Sequence, residues 1–126
     1  MLRTKLAVAL VGMAMFSGFV TDADASSVRV RCETRTSRSQ ISVDGRTLPR
    51  GTYTARVTSG ANTAVSPAEA AVGGEVEMDF DSDRANIAAG ATRIAKAFIT
   101  NGRVRGEIVA ANGTVVASAT VACRVR

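Results

Sequence analysis

The sequence predicts an all-β protein, a small antiparallel two-sheet sandwich of about seven strands closed by a disulfide between Cys32 and Cys123. Three observations predict it. Short segments alternate apolar and polar residues with period two. Glycine-bearing turn dipeptides punctuate them roughly every 8–15 residues. The only two cysteines stand near the two ends of one stretch, residues 26–126.

In order along the chain, Val28, Val30, Cys32 and Thr34 share a first face, with Arg29, Arg31, Glu33 and Arg35 opposite. Ile41 and Val43 share the next face, ahead of a turn expected at Asp44-Gly45. Tyr53, Ala55 and Val57 alternate with Thr52, Thr54, Arg56 and Thr58 up to a turn at Ser59-Gly60. Pro67 cannot donate to a ladder, which marks an edge strand or a loop. After Gly73-Gly74, the apolar face Val76, Met78 and Phe80 forces Glu75, Glu77, Asp79, Asp81 and Asp83 outward. Residues 85–99 hold no clean period and are predicted as a connection into a strand around Ile94 to Thr100, with a short helix as the alternative. Asn101-Gly102 opens a strand in which Val104 and Ile108 alternate with Arg103, Arg105 and Glu107. Asn112-Gly113 opens the last one, with Val115, Ala117, Ala119, Val121, Cys123 and Val125 on one face.

Both cysteines fall in the apolar phase of their strands, as an internal disulfide requires. Closing so long a loop contributes about 4–5 kcal/mol in the chain-entropy picture. No helical pattern alternates with the strands, so a parallel α/β layout is not expected. Two stretches carry a fold-level resemblance. "LPRGTYTARVTSG", from Leu48 to Gly60, resembles a hairpin of immunoglobulin-like or fibronectin-like modules, and "GEIVAANGTVVASATV", from Gly106 to Val121, resembles their closing hairpin. The resemblance implies architecture and no function.

Residues 1–25 read as a cleaved secretory leader. Arg3 and Lys5 precede an apolar run from Leu6 to Val20, and Ala23-Asp24-Ala25 is a small-x-small cleavage site. A single domain, residues 26–126, is then expected to be exported, periplasmic or secreted, with no transmembrane segment in the mature chain. An oxidising compartment agrees with pairing of the cysteines.

The composition narrows the chemistry. The chain has no histidine, which removes Ser-His-Asp and Cys-His arrangements and imidazole metal sites. Paired cysteines remove the thiol nucleophile. Lys96 is the lone lysine after the leader, and Gly73-Gly74 lacks the Lys-Ser/Thr of a phosphate loop. The expectation is therefore a non-catalytic binding or structural module without a cofactor.

Charge supplies the candidate sites. The net charge is +5, and losing Arg3, Lys5, Asp22 and Asp24 with the leader leaves it unchanged. Nearly all the bases are arginine, whose planar fork suits phosphate, sulfate or carboxylate. Arg29, Arg31, Arg35, Arg38, Arg124 and Arg126 form one patch if the disulfide joins the terminal strands, and the expected partner is an anionic polymer, a headgroup or an acidic protein surface. Nucleic acid is not expected, because aromatic residues for base stacking are scarce.

The acidic strand carries three readings. In the first, its carboxylates pair with basic neighbours in a salt-bridge ladder, notably with Arg29, Arg31 and Arg35. In the second, Asp79, Asp81 and Asp83 hold calcium in an adhesion or assembly module. They occupy positions one, three and five of the EF-hand pattern, but Arg84 replaces its glycine and Gly90 its glutamate. In the third, a pair of acids serves a carboxylate-based hydrolase. An acidic and a basic face on one molecule also allow head-to-tail self-association.

Overall fold

The computed structural model describes residues 25–126. The leader expected over residues 1–25 lies, but for Ala25, outside the described residues. Ten strands and one short helix follow in order: β1 (Ser27–Arg35), β2 (Arg38–Arg46), β3 (Thr52–Ser59), β4 (Asn62–Val65), β5 (Glu69–Ala70), β6 (Val76–Asp81), α1 (Arg84–Ala88), β7 (Thr92–Arg93), β8 (Arg103–Ala110), β9 (Val115–Ala122) and β10 (Arg124–Val125). They form two sheets. The first runs β10-β1-β2-β6-β7, and the second runs β4-β3-β8-β9 with β5 also paired to β3. No helix among the described residues is long and apolar enough to cross a membrane.

The two sheets bury the apolar phases of their strands against each other. Val30 and Cys32 of β1, Ile41 and Val43 of β2, and Val76, Met78 and Phe80 of β6 supply one inner face. Tyr53, Ala55 and Val57 of β3 with Val104 and Ile108 of β8 supply the other. Period-two patterning thus predicted the inward side of β1, β2, β3, β6 and β8.

The count differs from seven because four strands are two or four residues long, too short to show a period. The turn expected at Asp44-Gly45 is not there. β2 runs straight through both residues, and a Cβ on Gly45 would stand 3.0–3.1 Å from side chains of Val76, Leu48 and Ile108. This glycine serves close packing rather than a turn. At Asn101-Gly102 the expected turn is present, with φ of 55° and 64° in the primed-turn region that a two-residue hairpin needs.

The strand expected around Ile94 to Thr100 is also absent. The five-residue α1 and the two-residue β7 come first, and the chain from Ile94 then closes one end of the sandwich with Ile94 and Phe98 buried as plugs. The last strand is split. A register shift between Ile108 and Val109 skips Val116, so Val116 packs on the core while Val115 turns out. After Ala122 the chain leaves the second sheet, and β10 joins β1 in the first. Val125, expected in the apolar face, is 78% exposed there. Cys123 sits at the crossing, bonded to Cys32 with Cα atoms 4.7 Å apart.

Candidate functional site

The disulfide and the crossing at Cys123 bring the two ends of the domain together. β10 runs parallel to β1, with Glu33 beside Arg124 and Thr34 beside Val125, and the Arg126 amide donates to the Thr34 carbonyl. All six arginines predicted as a patch therefore lie on or near the first sheet, but they divide into two groups.

Arg29, Arg31 and Arg124 line one groove of about 500 Å³ along β1. Its remaining wall comes from Val30, Cys32 and Glu33 of β1, Gln40 and Ser42 of β2, and Ala122. Gln40 and Ser42 were legible as the outward alternates of Ile41 and Val43. Arg31 makes a hydrogen-bonded ion pair with Asp44 at 3.2 Å, yet its side chain stays 56% exposed. Among the described residues, neither Arg29 nor Arg124 has a carboxylate partner within ion-pair distance.

The other three lie outside the groove. Arg126 approaches Glu33 at 2.7 Å and Arg35 approaches it at 3.7 Å, so both are spent on one carboxylate. Arg38 crosses from β2 to Asp81 on β6 with two hydrogen bonds, Nε to Oδ1 at 3.0 Å and Nη2 to Oδ2 at 2.8 Å. Its role is structural.

The acidic strand is placed differently from expectation. β2 lies between β1 and β6, so the rows across the outer face read Arg29-Asp44-Glu77, Arg31-Ser42-Asp79 and Glu33-Gln40-Asp81. Two strand spacings, roughly 10 Å, separate the arginines of β1 from the acids of β6. The salt-bridge ladder therefore shrinks to the single pair of Arg38 and Asp81. Strand order, which the sequence does not encode locally, decided this.

Asp81 keeps the outward parity of its strand yet is only 1% exposed. Arg38 covers it from one side. From the other, Asn86 of α1 donates to Oδ2 at 2.8 Å and the Asp83 amide donates to Oδ1 at 2.8 Å. Burial pushes the Asp81 carboxyl up, but the hydrogen bonds from Arg38, Asn86 and the Asp83 amide, with the charge of Arg38, outweigh it and hold the carboxyl below its ordinary value. Arg38 is correspondingly raised, by its hydrogen bond to Asp81 above all. Asp83 accepts from the Asn86 amide as the N-cap of α1, and Asp79 accepts from the Ser42 hydroxyl. Among the described residues no group of three or more Asp, Glu or Cys side chains converges as metal ligands would.

A second buried carboxylate escaped sequence reading. Glu107 of β8, on the outer face of the second sheet, is held by Arg56 at 2.6 Å and Arg105 at 3.4 Å. The Arg56 hydrogen bond draws its pKa down against the opposing effect of burial. Its only sequence signal was the opposite-charge alternation on neighbouring strands. Neither downshifted carboxyl lines the groove along β1, which has Glu33 as its one carboxylate.

Comparison with known proteins adds no family: no protein-family model matches the chain, and no curated protein sequence matches it.

Proposed function

We propose that this chain is an exported, non-catalytic binding module of immunoglobulin-like or fibronectin-like architecture that holds an anionic partner against the arginines beside β1. One observation carries the reading: Arg29, Arg31 and Arg124 share a groove in which Arg29 and Arg124 have no carboxylate partner among the described residues. Arg38, Arg56 and Arg126, outside the groove, are by contrast tied to the chain's own acids. Two guanidinium forks facing one groove suit phosphate, sulfate or carboxylate. The leader pattern of residues 1–25 and the disulfide support export.

The groove holds one carboxylate and not the pair that glycoside hydrolysis requires, which supports the non-catalytic reading. The test is retention of the oxidised protein on immobilised polyphosphate across a salt gradient. Arg29→Gln with Arg124→Gln should elute at clearly lower salt than wild type. Arg50→Gln with Arg103→Gln, a charge-matched control outside the groove, should shift elution far less. Equal elution of all three proteins would reject the groove as the anion site.

A further inference from the structure

We propose that the occupant of the groove is an extended acidic polypeptide strand, added to the open edge of β1 from Ser27 to Arg31. This inference rests on the anion-binding reading above and names its partner. Two independent features meet at this edge. The first is backbone. β1 pairs with β2 along its whole length, while on its other side β10 covers only Glu33 and Thr34. Among the described residues no strand pairs with Ser27 to Arg31 on that side, where β9 packs nearby without a ladder. This stretch therefore keeps main-chain donors and acceptors that no strand has taken. The second is charge. Arg29 and Arg31 project on one face two residues apart, about 7 Å along the strand. An added strand with Asp or Glu at every second position repeats with the same spacing and places each carboxylate beside an arginine. Arg124 stands at the end where β10 closes the edge.

A second copy of the chain does not fit the same edge. β6 carries an acidic face, and its far side is unpaired from Val76 to Asp79. Yet register through β2 sets Glu33, Gln40 and Asp81 at one level, so β10 and β7 stand at the same height on opposite edges of the sheet. Copies laid edge to edge in the same orientation would drive β7 of one into β10 of the next. A two-fold pairing of β1 with β1 would set arginine against arginine. A single partner strand meets neither obstacle.

The experiment titrates purified, oxidised protein with acetyl-(Thr-Glu)4-amide at low salt by calorimetry. Acetyl-(Pro-Glu)4-amide, with the same charges but fewer amide donors and no β conformation, is the control, and polyphosphate is the polyanion probe. The expected result is at least tenfold tighter binding of the Thr peptide than of the Pro peptide. Arg29→Gln with Arg31→Gln should weaken it at least tenfold, and bound peptide should slow amide hydrogen exchange within Ser27 to Arg31. Equal binding of both peptides, or binding of polyphosphate with neither peptide, would overturn strand addition and leave the anion-binding reading standing. Binding of none of the three probes would overturn both. Concentration-dependent oligomers that dissociate in salt and exclude the peptide would make a second copy the occupant instead.

Discussion

Arg38 and Asp81 are joined by two parallel hydrogen bonds, 3.0 and 2.8 Å long, that tie the start of β2 to the end of β6. The carboxylate is almost wholly enclosed while the guanidinium keeps some contact with water. Removing the arginine would leave a buried charge with only Asn86 and one backbone amide to satisfy it. Arg38→Met should therefore cost about 3 kcal/mol, the low end for breaking a buried pair. Replacing both partners, with Asp81→Leu added, should recover part of the loss. Urea unfolding checks this, and a change under about 0.5 kcal/mol in the single variant would mean the pair is only a surface contact.

The same pair and its counterpart on the second sheet predict an acid limit. Asp81 and Glu107 both have pKa values lowered by folding. A carboxyl that binds protons less readily when folded contributes stability that is fully present above its unfolded value, about 4. That contribution drains away as pH falls through the lower folded value. Stability should thus be flat from pH 7 to about 5 and decline steeply below about 4. Asp81→Asn with Glu107→Gln should start less stable and decline less over that range. Parallel pH profiles for the two proteins would show that neither carboxyl drives acid unfolding.

How much of this was legible in the sequence depends on the range of the signal. The inward faces of β1, β2, β3, β6 and β8 could be read because a period of two is local and the core enforces it. Asp44-Gly45 misled because glycine has two uses, and only the neighbours Val76, Leu48 and Ile108 reveal that this one makes room. Which arginines are free could not be read at all. It depends on β2 standing between β1 and β6, and on the chain crossing between sheets at Cys123. The patch was therefore located, while its division into three groove arginines and three tied ones came from topology.

Gly106 offers a test of how closely the sheets approach. It lies mid-strand in β8, and a Cβ there would stand 2.5 Å from one Val30 methyl carbon and 3.3 Å from the other. Overpacking of this kind typically costs about 1–3 kcal/mol. Gly106→Ala should be destabilising by that amount, and Val30→Ala in the same chain should offset much of it. The double-mutant cycle is the measurement. Strictly additive effects would deny the contact between these two positions.

The disulfide fastens the place where the chain changes sheets. Cys32 and Cys123 are 91 residues apart, so the bond closes most of the described chain into one loop. Cys32→Ala with Cys123→Ala should lower stability on the order of 4 kcal/mol. Because Cys123 stands between β9 and β10, the loss should concentrate at Arg124 to Arg126, whose only ladder is with Glu33 and Thr34. Hydrogen exchange in the variant should show those amides opening before the core of β2 and β8. Uniform exchange would indicate that the bond stabilises the fold only globally.

Calcium is the last prediction, and it turns on what Asp79, Asp81 and Asp83 already hold. A calcium ion takes six to eight oxygen ligands, but the Asp81 carboxylate is committed to Arg38, Asp83 caps α1 and Asp79 accepts from Ser42. Binding would require the ion to displace a guanidinium from a buried carboxylate. The melting temperature should therefore be the same in EDTA and in millimolar calcium at fixed ionic strength. A site filled at 100 times its dissociation constant would add about 2.7 kcal/mol, several degrees for a domain of this size, so the comparison is sensitive. A shift with calcium but not with magnesium would restore the cation reading of this strand. Arg38→Met sharpens the comparison, because it frees the Asp81 carboxylate: if the arginine is what keeps the ion out, calcium should stabilise the variant and leave the wild type unmoved.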